Sequence, residues 1–414
     1  MKILYLHQYF NTPAMAGGTR SFEMARRLVA AGHEVELITT WREPSEHLSW
    51  YVTDEAGIKV HWLPVSYSNK MSFLQRVFAF FRFALASAMR AASIRADVVF
   101  ATSTPLTIAL PGLFASWRLR VPFVFEVRDM WPAVPIAMGV LKNPLLIRVA
   151  FWLERLAYVR AKHVVALAPG MGDDIVASGI DPSKISVIPN GCDLDVFANI
   201  ATEGNPLRCA HPWLGSRKLI LFAGTVGRAN GVDYLVHVAA SARQLDPEVR
   251  FVVIGDGAEL ERVQELAARY EVLERNLFFI PAMPKRKLAC WLAEADMTIA
   301  LFVGPRVLWK DAVQNKFFDS LAAGKPVACN FLGFQSEIAV EHDVGLIIDG
   351  ADAGHAAAQL LDKLRDVEWM NGVSARAGFL AKGRFNRDQL AGDLAKVLTD
   401  AVRDSDQFAQ PRLF

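Results

Sequence analysis

Short apolar runs recur along this 414-residue chain, and each is followed by a turn and then by residues at helical spacing. Such runs, bounded by glycine or proline, are typical of strands that are buried on both faces of a parallel sheet. Their alternation with helices predicts doubly wound α/β units. The runs lie at residues 3–6, 35–39, 121–127, 163–167, 219–223, 250–254, 277–280, 297–303 and 344–348.

Composition limits the class of protein. An apolar fraction of 52% with 21% charged residues excludes a disordered chain. A net charge of +2 gives no reason to expect a nucleic acid partner. The length predicts roughly two to three domains.

Cellular location is indicated by three further features. The four cysteines show no CxxC spacing, which argues against a zinc site and fits free thiols in a reducing cytoplasm. The opening apolar run is too short for a signal peptide, and no uninterrupted apolar run is long enough for a transmembrane helix. We therefore expect a cytoplasmic protein.

The most informative motif lies between Asp311 and Asp319, two acids that are separated by eight positions with Asn315 and Lys316 between them. If the stretch is helical, the acids are ~12 Å and ~80° apart. Carboxylates suit sugar hydroxyls, and a helix N-terminus beside a lysine suits a diphosphate. That is the layout of a nucleotide-diphosphate sugar. The alternative is a surface helix with scattered acids.

This stretch, continued by Ser-Leu-Ala-Ala-Gly-Lys-Pro-Val327, resembles the E-x7-E element of the retaining glycosyltransferase family 4, which has the GT-B fold. Aspartates replace both glutamates. The residues from Asn315 onward are most similar to the WbuB-like branch, which is associated with bacterial O-antigen and exopolysaccharide assembly. The resemblance implies that Asp311 contacts the donor sugar and Asp319 the ribose, while Asn315 lies in the donor site. The shorter aspartate leaves the donor open.

The N-terminal βα turn carries Gly17 and Gly18, followed by a predicted helix that starts at Arg20. Paired glycines allow the backbone to approach a ligand closely. The run from His7 to Val35 resembles the opening of the same branch, so we place these three residues on the acceptor side. The absence of G-x-G-x-x-G argues against a nicotinamide dehydrogenase.

Arg128 and Asp129 follow the strand at residues 121–127, where parallel strands place side chains at the ligand-binding edge. In much of the family a His-Asp pair stands here, with the histidine facing the reacting sugar. Arginine takes that position in this chain. The resemblance implies active-site contacts to the acceptor or the donor sugar, and a structural ion pair is the alternative.

A glycine-rich turn follows the strand at residues 219–223 and contains Gly224, Thr225, Gly227 and Asn230. Backbone N–H groups at such a turn can bind phosphate oxygens, although an ordinary βα loop is the alternative. The turn resembles the phosphate loop of these transferases, with Thr225 and Asn230 where many members have an arginine and a lysine. Lys316 would supply the missing positive charge.

Further contacts follow from the same resemblance. The turn at Gly255 and the loop ending at Lys285 would border the nucleobase. Residues 187–197 resemble the element at the domain hinge. Asp193 and Asp195 mimic the D-x-D metal motif of another fold, but the Asn-Gly turn explains them better. We expect no metal and no cofactor.

Two segments combine aromatic and basic residues. Residues 69–95 place Phe73, Val77, Phe80, Phe81 and Leu85 near helical spacing among Lys70, Arg76, Arg82, Arg90 and Arg95. A second run, from Lys142 to Lys162, surrounds Phe151 and Trp152. Such a surface fits an anionic membrane, where the protein would be peripheral. A buried helix with snorkelling arginines is the alternative.

Together these patterns predict the GT-B fold, with two Rossmann-like domains facing each other across a cleft. Residues 1–198 would bind the acceptor and 199–385 the nucleotide-sugar, with a final helix at 386–414 packing back on the first domain. The family resemblance implies retaining transfer from a UDP-linked sugar, such as an acetamido-deoxyhexose, to a polyprenyl-diphosphate-linked or oligosaccharide acceptor. A GT-B nucleotide-sugar epimerase and a non-catalytic nucleotide-binding subunit are the alternatives.

Overall fold

The computed structural model describes residues 1–66, 71, 73–198, 200 and 206–409. Residues 69, 70 and 72 of the first aromatic segment and residues 410–414 of the predicted final helix lie outside these ranges. Internal contacts divide the chain into two compact units. The first contains residues 1–12, 19–189 and 388–414, and the second contains residues 13–18 and 190–387.

The first unit is built on an eight-stranded sheet with the order β3-β4-β2-β1-β5-β6-β7-β8. All neighbouring strands pair in parallel except β3 and β4, which form a hairpin. The strands are β1 (Lys2–Leu6), β2 (Glu34–Trp41), β3 (Tyr51–Glu55), β4 (Ile58–Pro64), β5 (Val98–Thr102), β6 (Phe123–Val127), β7 (His163–Ala166) and β8 (Ile185–Val187).

Helices cover both faces of this sheet, which is why its central strands are almost wholly buried. The helices are α1 (Arg20–Ala30), α2 (Phe73–Ala92), α3 (Ala109–Leu119), α4 (Ala133–Ala137), α5 (Pro144–Arg160) and α6 (Pro169–Ala177). Parallel crossovers are right-handed, and the strand order reverses direction at β1. The helix α1 therefore lies on one face, while α2, α3 and α5 lie side by side on the other.

The second unit contains a six-stranded parallel sheet with the order β11-β10-β9-β12-β13-β14. Its core includes Phe222, Phe251 and Phe317, all fully buried. The strands are β9 (Leu219–Ala223), β10 (Arg250–Ile254), β11 (Leu277–Ile280), β12 (Met297–Ala300), β13 (Val327–Cys329) and β14 (Gly345–Ile347).

Nine helices accompany this sheet among the described residues. They are α7 (Leu194–Phe197), α8 (Pro206–Ala210), α9 (Val232–Leu245), α10 (Leu260–Arg269), α11 (Lys285–Glu294), α12 (Asn315–Ala322), α13 (Phe334–Glu341), α14 (Ala353–Arg365) and α15 (Val367–Lys382). The last helix of the chain, α16 (Arg387–Ala409), belongs to the first unit from Asp388 onward.

The unit boundary falls after Pro189, earlier than the predicted boundary at residue 198. The reason is a short connection within the second unit. Cys192 donates its N–H to the carbonyl of Phe385 at 2.7 Å, and the side chain of Asn190 donates to the carbonyl of Val313 at 2.9 Å. Within the described ranges, no helix is both long and apolar enough to cross a membrane.

Candidate functional site

The strand order of the second sheet reverses between β9 and β12, and the loops that leave these two strands meet. Val303 donates its N–H to the carbonyl of Ala229 at 2.9 Å. Gly231 has a φ of +56°, and a Cβ there would lie 2.2 Å from a Val303 methyl carbon. Because a reversal of this kind leaves a crevice at the carboxyl ends of the strands, the candidate ligand site of this unit lies here.

The glycine-rich turn after β9 is partly closed by its own hydrogen bonds. Gly224 donates its N–H to Ile254 and Val226 donates to Asp256, both at 2.9 Å. Asn230 donates its side-chain amide to the carbonyl of Thr225 at 2.8 Å, so it braces the loop. Within the described part of the chain, the N–H groups of Thr225 and Gly227 make no hydrogen bond. Only this part of the predicted phosphate loop can therefore donate to an anion.

The turn after β10 locks the glycine-rich turn in place. A Cβ at Gly255 would lie 1.9 Å from the carbonyl oxygen of Gly224, and one at Gly257 would lie 2.2 Å from that of Val226. Since both obstacles are backbone atoms, side chains larger than hydrogen would push the two loops apart. Gly255, predicted to border the nucleobase, thus has a clear packing role.

Lys316 lies beneath the glycine-rich turn, on the first turn of α12. Its Nζ is 3.8 Å from the centre of the Phe222 ring, and a Cβ at Gly224 would come within 3.2 Å of it. This Nζ is shielded from solvent and has no hydrogen-bond partner among the described residues. Burial lowers the pKa of Lys316 to about 7. The neighbouring Cys329 thiol adds no charge, because burial raises its pKa to about 12.

Asp311 and Asp319 do not share a helix, contrary to the geometry predicted from their spacing. Asp311 closes a 3-10 helix (Arg306–Asp311), and α12 begins only at Asn315. The intervening chain is extended because Gln314 and Gln335 clamp it. Gln314 donates its N–H to the Gln335 side chain at 3.0 Å, and Gln335 returns a bond to the Gln314 carbonyl at 2.8 Å.

The start of α12 is nevertheless a polarised helix end. The N–H groups at a helix start lack intrahelical acceptors and carry partial positive charge. Asn315 is half-buried at this end, next to Lys316. Gly18, which belongs to the second unit, lies beside it, since a Cβ there would fall 2.9 Å from the Asn315 amide nitrogen. Gly17 has a φ of +117°, which favours glycine.

Asp319 is held by an ion-pair network that the sequence did not reveal. Lys285 places its Nζ 2.8 Å from Asp319 Oδ1 and 2.6 Å from Asp193 Oδ2. Arg387 donates its Nε–H to the other oxygen of Asp193 at 2.9 Å. The Lys285 amine therefore positions Asp319, and the placement of Lys285 beside the nucleobase stays a prediction.

Charge compensation explains how this network can be buried. Burial alone would raise the pKa of Asp193, but the charges of Arg387 and Lys285 hold it well below its usual value. Burial alone would lower the pKa of Lys285, but Asp319 and Asp193 together raise it. Asp193 and Lys285 are thus both charged, and each oxygen of Asp193 contacts a cationic side chain.

A second polar cluster lies in the first unit, where the strand order of its sheet reverses between β1 and β5. Arg128 donates its backbone N–H to Ser103 at 2.9 Å, and its guanidinium lies 3.3 Å from His7 Nε2. Thr104 donates its hydroxyl to Asp129 at 2.7 Å. Arg128 and Asp129 form no ion pair with each other among the described residues, so they are not the structural pair that was the alternative.

His7 was not predicted as a site residue. Burial lowers its pKa well below the usual value, and the charges of Arg128 and Arg42 lower it further. Its ring is therefore neutral near pH 7, and within the described ranges Nδ1 has no hydrogen-bond partner. Its position in the sequence could have identified it, because it is the first polar residue after β1 and ligands of α/β sheets bind at the carboxyl ends of strands.

Arg20, which we placed on the acceptor side, is bonded in the interior of the first unit. Its side chain is fully buried and donates from Nε and Nη2 to Glu126 Oε1 at 3.1 and 2.8 Å. Nη1 donates to the carbonyl of Pro189 at 2.6 Å. Burial would raise the pKa of Glu126, but Arg20 holds it below its usual value. Arg20 thus fixes the interior of the first unit.

Comparison with known proteins identifies both halves of the chain. Residues 16–191 match the family described as the glycosyl transferase 4-like domain, and residues 217–366 match the glycosyl transferases group 1. The chain belongs to the glycosyltransferases. These two matches include Gly17, Gly18, Arg128, the glycine-rich turn and α12, whereas His7, Asp193 and Arg387 lie outside the matched ranges.

Similar glycosyltransferases and related enzymes are found among bacteria. The α-maltose-1-phosphate synthase of Mycolicibacterium smegmatis is 26% identical over 62% of this chain and 66% of that protein. The putative colanic acid biosynthesis glycosyl transferase WcaI of Escherichia coli is 23% identical over 78% and 82%. A D-inositol 3-phosphate glycosyltransferase of Xylanimonas cellulosilytica is 27% identical over 94% and 93%.

Solved structures confirm the predicted fold class. Sucrose-phosphate synthase from Thermosynechococcus elongatus superposes with a TM-score of 0.75 at 16% identity, covering 97% of this chain and 99% of that chain. Anabaena HepE in complex with UDP gives a TM-score of 0.69 at 17% identity, covering 97% and 100%. The fold of this glycosyltransferase is therefore GT-B, with two parallel-sheet α/β domains.

Proposed function

We propose that this glycosyltransferase moves a sugar from a nucleotide-diphosphate sugar to an acceptor with retention of anomeric configuration. The observation that carries the proposal is Lys316, a buried amine that has no hydrogen-bond partner among the described residues and lies directly beneath the glycine-rich turn. A buried cation without a counter-charge is costly, and a bound anion would remove that cost. The second unit is thus built for a negatively charged ligand.

The diphosphate is the ligand group that this arrangement fits. Lys316 would neutralise one phosphate, while the N–H groups of Thr225, Gly227 and the first turn of α12 would donate to its oxygens. These donors stand in for the two cations that many family members have in the turn. Because Lys316 is buried beside an aromatic ring, its charge is screened little by water.

Asp319 is the group that we assign to the ribose. Its Oδ1 is held by Lys285, and Oδ2 remains to accept hydrogen bonds from vicinal hydroxyls. Holding one oxygen fixes the orientation of the carboxylate before the donor arrives. Asp311, on the neighbouring 3-10 helix, would orient the donor sugar from outside α12.

The mechanism that we infer is a front-face displacement. The leaving diphosphate takes the proton of the acceptor hydroxyl, the glycosidic bond to the nucleotide breaks, and the new bond forms on the same face. Protonated Lys316 and the start of α12 stabilise the charge that develops on the leaving group. A UDP-linked donor is supported by the fold shared with HepE, whose complex contains UDP, and an acetamido-deoxyhexose by the branch resemblance.

For the acceptor we propose a polyprenyl-diphosphate-linked saccharide of bacterial surface polysaccharide synthesis. The relation to WcaI, whose name places it in colanic acid synthesis, and the WbuB-like motif support this choice. The carboxyl edge of the first sheet would bind this acceptor, with Arg128 contributing positive charge. The neutral His7 beside it would contribute a hydrogen-bonding nitrogen.

The test is a thermal-shift panel of nucleotides and nucleotide-sugars, followed by transfer of labelled sugar into a lipid extract. A ligand at a hundred times its Kd stabilises a protein by ~2.7 kcal/mol, which is readily measured. We expect UDP compounds to stabilise the wild type and the Lys316→Met variant to lose that effect. A panel in which no nucleotide changes Tm would contradict the proposal.

Nuclear magnetic resonance of the donor with enzyme alone separates the two enzyme classes. A transferase without acceptor leaves the donor sugar unchanged apart from slow hydrolysis, whereas an epimerase inverts a ring carbon. Nucleotide binding without incorporation of label into any acceptor would favour the non-catalytic alternative.

A further inference from the structure

Exposed apolar side chains concentrate on one part of the first unit. Among the described residues, six of the eight exposed aromatic side chains lie on α2, α3 and α5. These helices also expose large aliphatic side chains. The exposed set consists of Phe78, Phe81, Leu85, Met89, Phe114, Trp117, Leu145, Leu146, Val149, Phe151, Trp152 and Val159.

These side chains form one surface, because the three helices lie side by side on the same face of the sheet. The helix α3 contacts both α2 and α5. Their sheet-facing sides are buried, so their exposed sides point away from the sheet. We call the outer surface of α2, α3 and α5 the platform.

On α2 the exposed apolar side chains of the platform form one continuous face of the helix. On α2 the exposed residues Phe78, Phe81, Leu85 and Met89 recur at helical spacing, while Phe83 on the other side is fully buried. A helix of a water-facing layer normally has polar residues opposite its buried stripe. Here both sides are apolar, which explains why the sequence pattern alone left the burial of this segment open.

The platform is also strongly basic. Its three helices contain seven arginines and only one acid, Glu154, although the whole chain has a net charge of +2. Burial raises the pKa of Glu154 to about 7, which weakens the only negative charge. Among the side chains that the structure describes, five of these arginines are exposed, namely Arg82, Arg118, Arg148, Arg155 and Arg160, whereas the Arg90 guanidinium turns inward to His61 Nδ1. Exposed Lys142 and Arg120 flank the same helices.

We propose that the platform docks on the surface of an anionic phospholipid bilayer. Phe and Trp side chains partition into the boundary between headgroups and acyl chains, and arginines pair with lipid phosphates. The 20-residue α2 gives a length of ~30 Å, and three neighbouring axes span ~20 Å. That footprint of ~600 Å² is at the upper end of the patches that monomers expose, and patches of this size are often functional.

Charge decides between lipid and a second copy of the chain. Pairing two platforms would bring two arginine-rich surfaces together, which is unfavourable, whereas anionic lipid neutralises both at once. The inference rests only on the side chains of the first unit. It therefore holds whether or not the donor site binds a nucleotide-sugar.

Sedimentation with vesicles tests the docking directly. The full chain is mixed with vesicles of phosphatidylcholine alone or with 30% phosphatidylglycerol, about a physiological share of anionic lipid. We expect binding to the anionic vesicles that weakens as salt rises. The Trp117→Ser, Trp152→Ser double variant should bind at least about tenfold more weakly, because two exposed indoles no longer enter the lipid.

Matched controls come from the second unit. Phe379 is 78% exposed, similar to Trp117 at 72%, so Phe379→Ser should leave vesicle binding unchanged. Arg82→Glu with Arg148→Glu should abolish the preference for anionic lipid, whereas Arg269→Glu should not. Wild-type binding equal to that of the Trp117, Trp152 variant would overturn the proposal.

Brominated lipids identify the residues that touch the membrane. Bromine quenches only nearby tryptophans, so part of the wild-type fluorescence should be lost on vesicle binding. The Trp117→Phe, Trp152→Phe variant keeps apolar side chains and should bind while losing that quenchable part. Quenching that persists in this variant, or a dimer in analytical ultracentrifugation that Trp117→Ser dissociates, would contradict the membrane assignment.

Discussion

Lys316 is the side chain whose environment is hardest to explain without a ligand. An amine on the first turn of α12, shielded from water and placed over an aromatic ring, loses its hydration and gains no hydrogen bond within the described chain. Its burial lowers its pKa to about 7, so half of the molecules carry the charge near neutral pH. A bound anion would favour the charged form.

This gives a pH dependence for nucleotide binding. Above pH 7 the free amine is mostly neutral, so binding a diphosphate requires uptake of a proton. We expect the UDP affinity to fall as pH rises from 7 to 9, approaching about tenfold per pH unit. Calorimetry in buffers of different ionisation enthalpy measures the proton uptake.

The Lys316→Met variant should bind UDP weakly, and its affinity should not vary over that pH range. The exposed Lys287 on α11 offers a matched control, because Lys287→Met removes a charge outside the site. A wild-type affinity that stays constant up to pH 9 would show that Lys316 does not hold the phosphate.

Asp319 gives the second residue-scale prediction. Asp319→Ala should raise the donor KM or abolish turnover while Tm stays close to that of the wild type, because Lys285 retains Asp193 as a counter-charge. Steady-state kinetics and a thermal melt measure both. Asp362→Ala, at an exposed position on α14, is the control. Near-normal kinetics in Asp319→Ala would count against its role at the ribose.

At the scale of elements, the donor site depends on how close two βα turns approach. Gly224 and Gly255 lie in the turns that follow the neighbouring strands β9 and β10, and these two turns touch through backbone atoms. The break between the 3-10 helix at residues 306–311 and α12 depends similarly on one pair of glutamines. These contacts fix the positions of the N–H groups in the glycine-rich turn and of Lys316 on α12. The donor site therefore depends on packing between the two turns and α12, and not on each motif alone.

Gly255→Ala should therefore weaken both folding and nucleotide binding. Its Cβ would meet the Gly224 carbonyl oxygen at 1.9 Å, and the turn must move. We expect a loss of about 1–3 kcal/mol of unfolding free energy with a lower UDP affinity. Gly378→Ala on α15 is the control, since no atom lies within 4 Å of its Cβ position. It should be neutral or stabilising by about 0.5–1 kcal/mol.

At the scale of the whole molecule, the chain passes between its two units near residues 12–19 and again at 189–190 and 387–388. Arg387 and Asp193 lie next to the last two of these passages and bond to each other within the second unit. Lys285 then connects Asp193 to Asp319. The same buried charges therefore serve the stability of the second unit and the position of a donor-site carboxylate.

Asp193→Asn should destabilise the second unit strongly. It leaves Arg387 and Lys285 with reduced compensation in a buried environment, which typically costs about 3–5 kcal/mol. In scanning calorimetry we expect the transition of the second unit to shift to lower temperature. Asp362→Asn provides a surface control, and equal melting of the two variants would mean that the network contributes little.

The amino-acid sequence was sufficient for nine of the fourteen described strands, the alternating architecture and the glycine-rich turn, because buried parallel strands and turn residues leave a signal within a few neighbouring positions. It missed β3, β4, β5, β8 and β13. It was also sufficient for the family-like motif around Asp319. Three-dimensional packing was needed to place Asp311 outside α12, to occupy Arg20 with Glu126 and to join Lys285 to Asp319. Those partners are distant in sequence, so local spacing carries no information about them.

For the platform, too, the sequence predicted one part and tertiary packing decided the other. Spacing located the aromatic residues of α2 on a helix, but both sides of α2 are apolar, so periodicity could not select the buried side. Packing of three helices on one sheet face selected it, since only one side of each can contact the sheet. Which side chains of a helix are exposed depends on the elements that pack against it, and these contacts form only in the folded state.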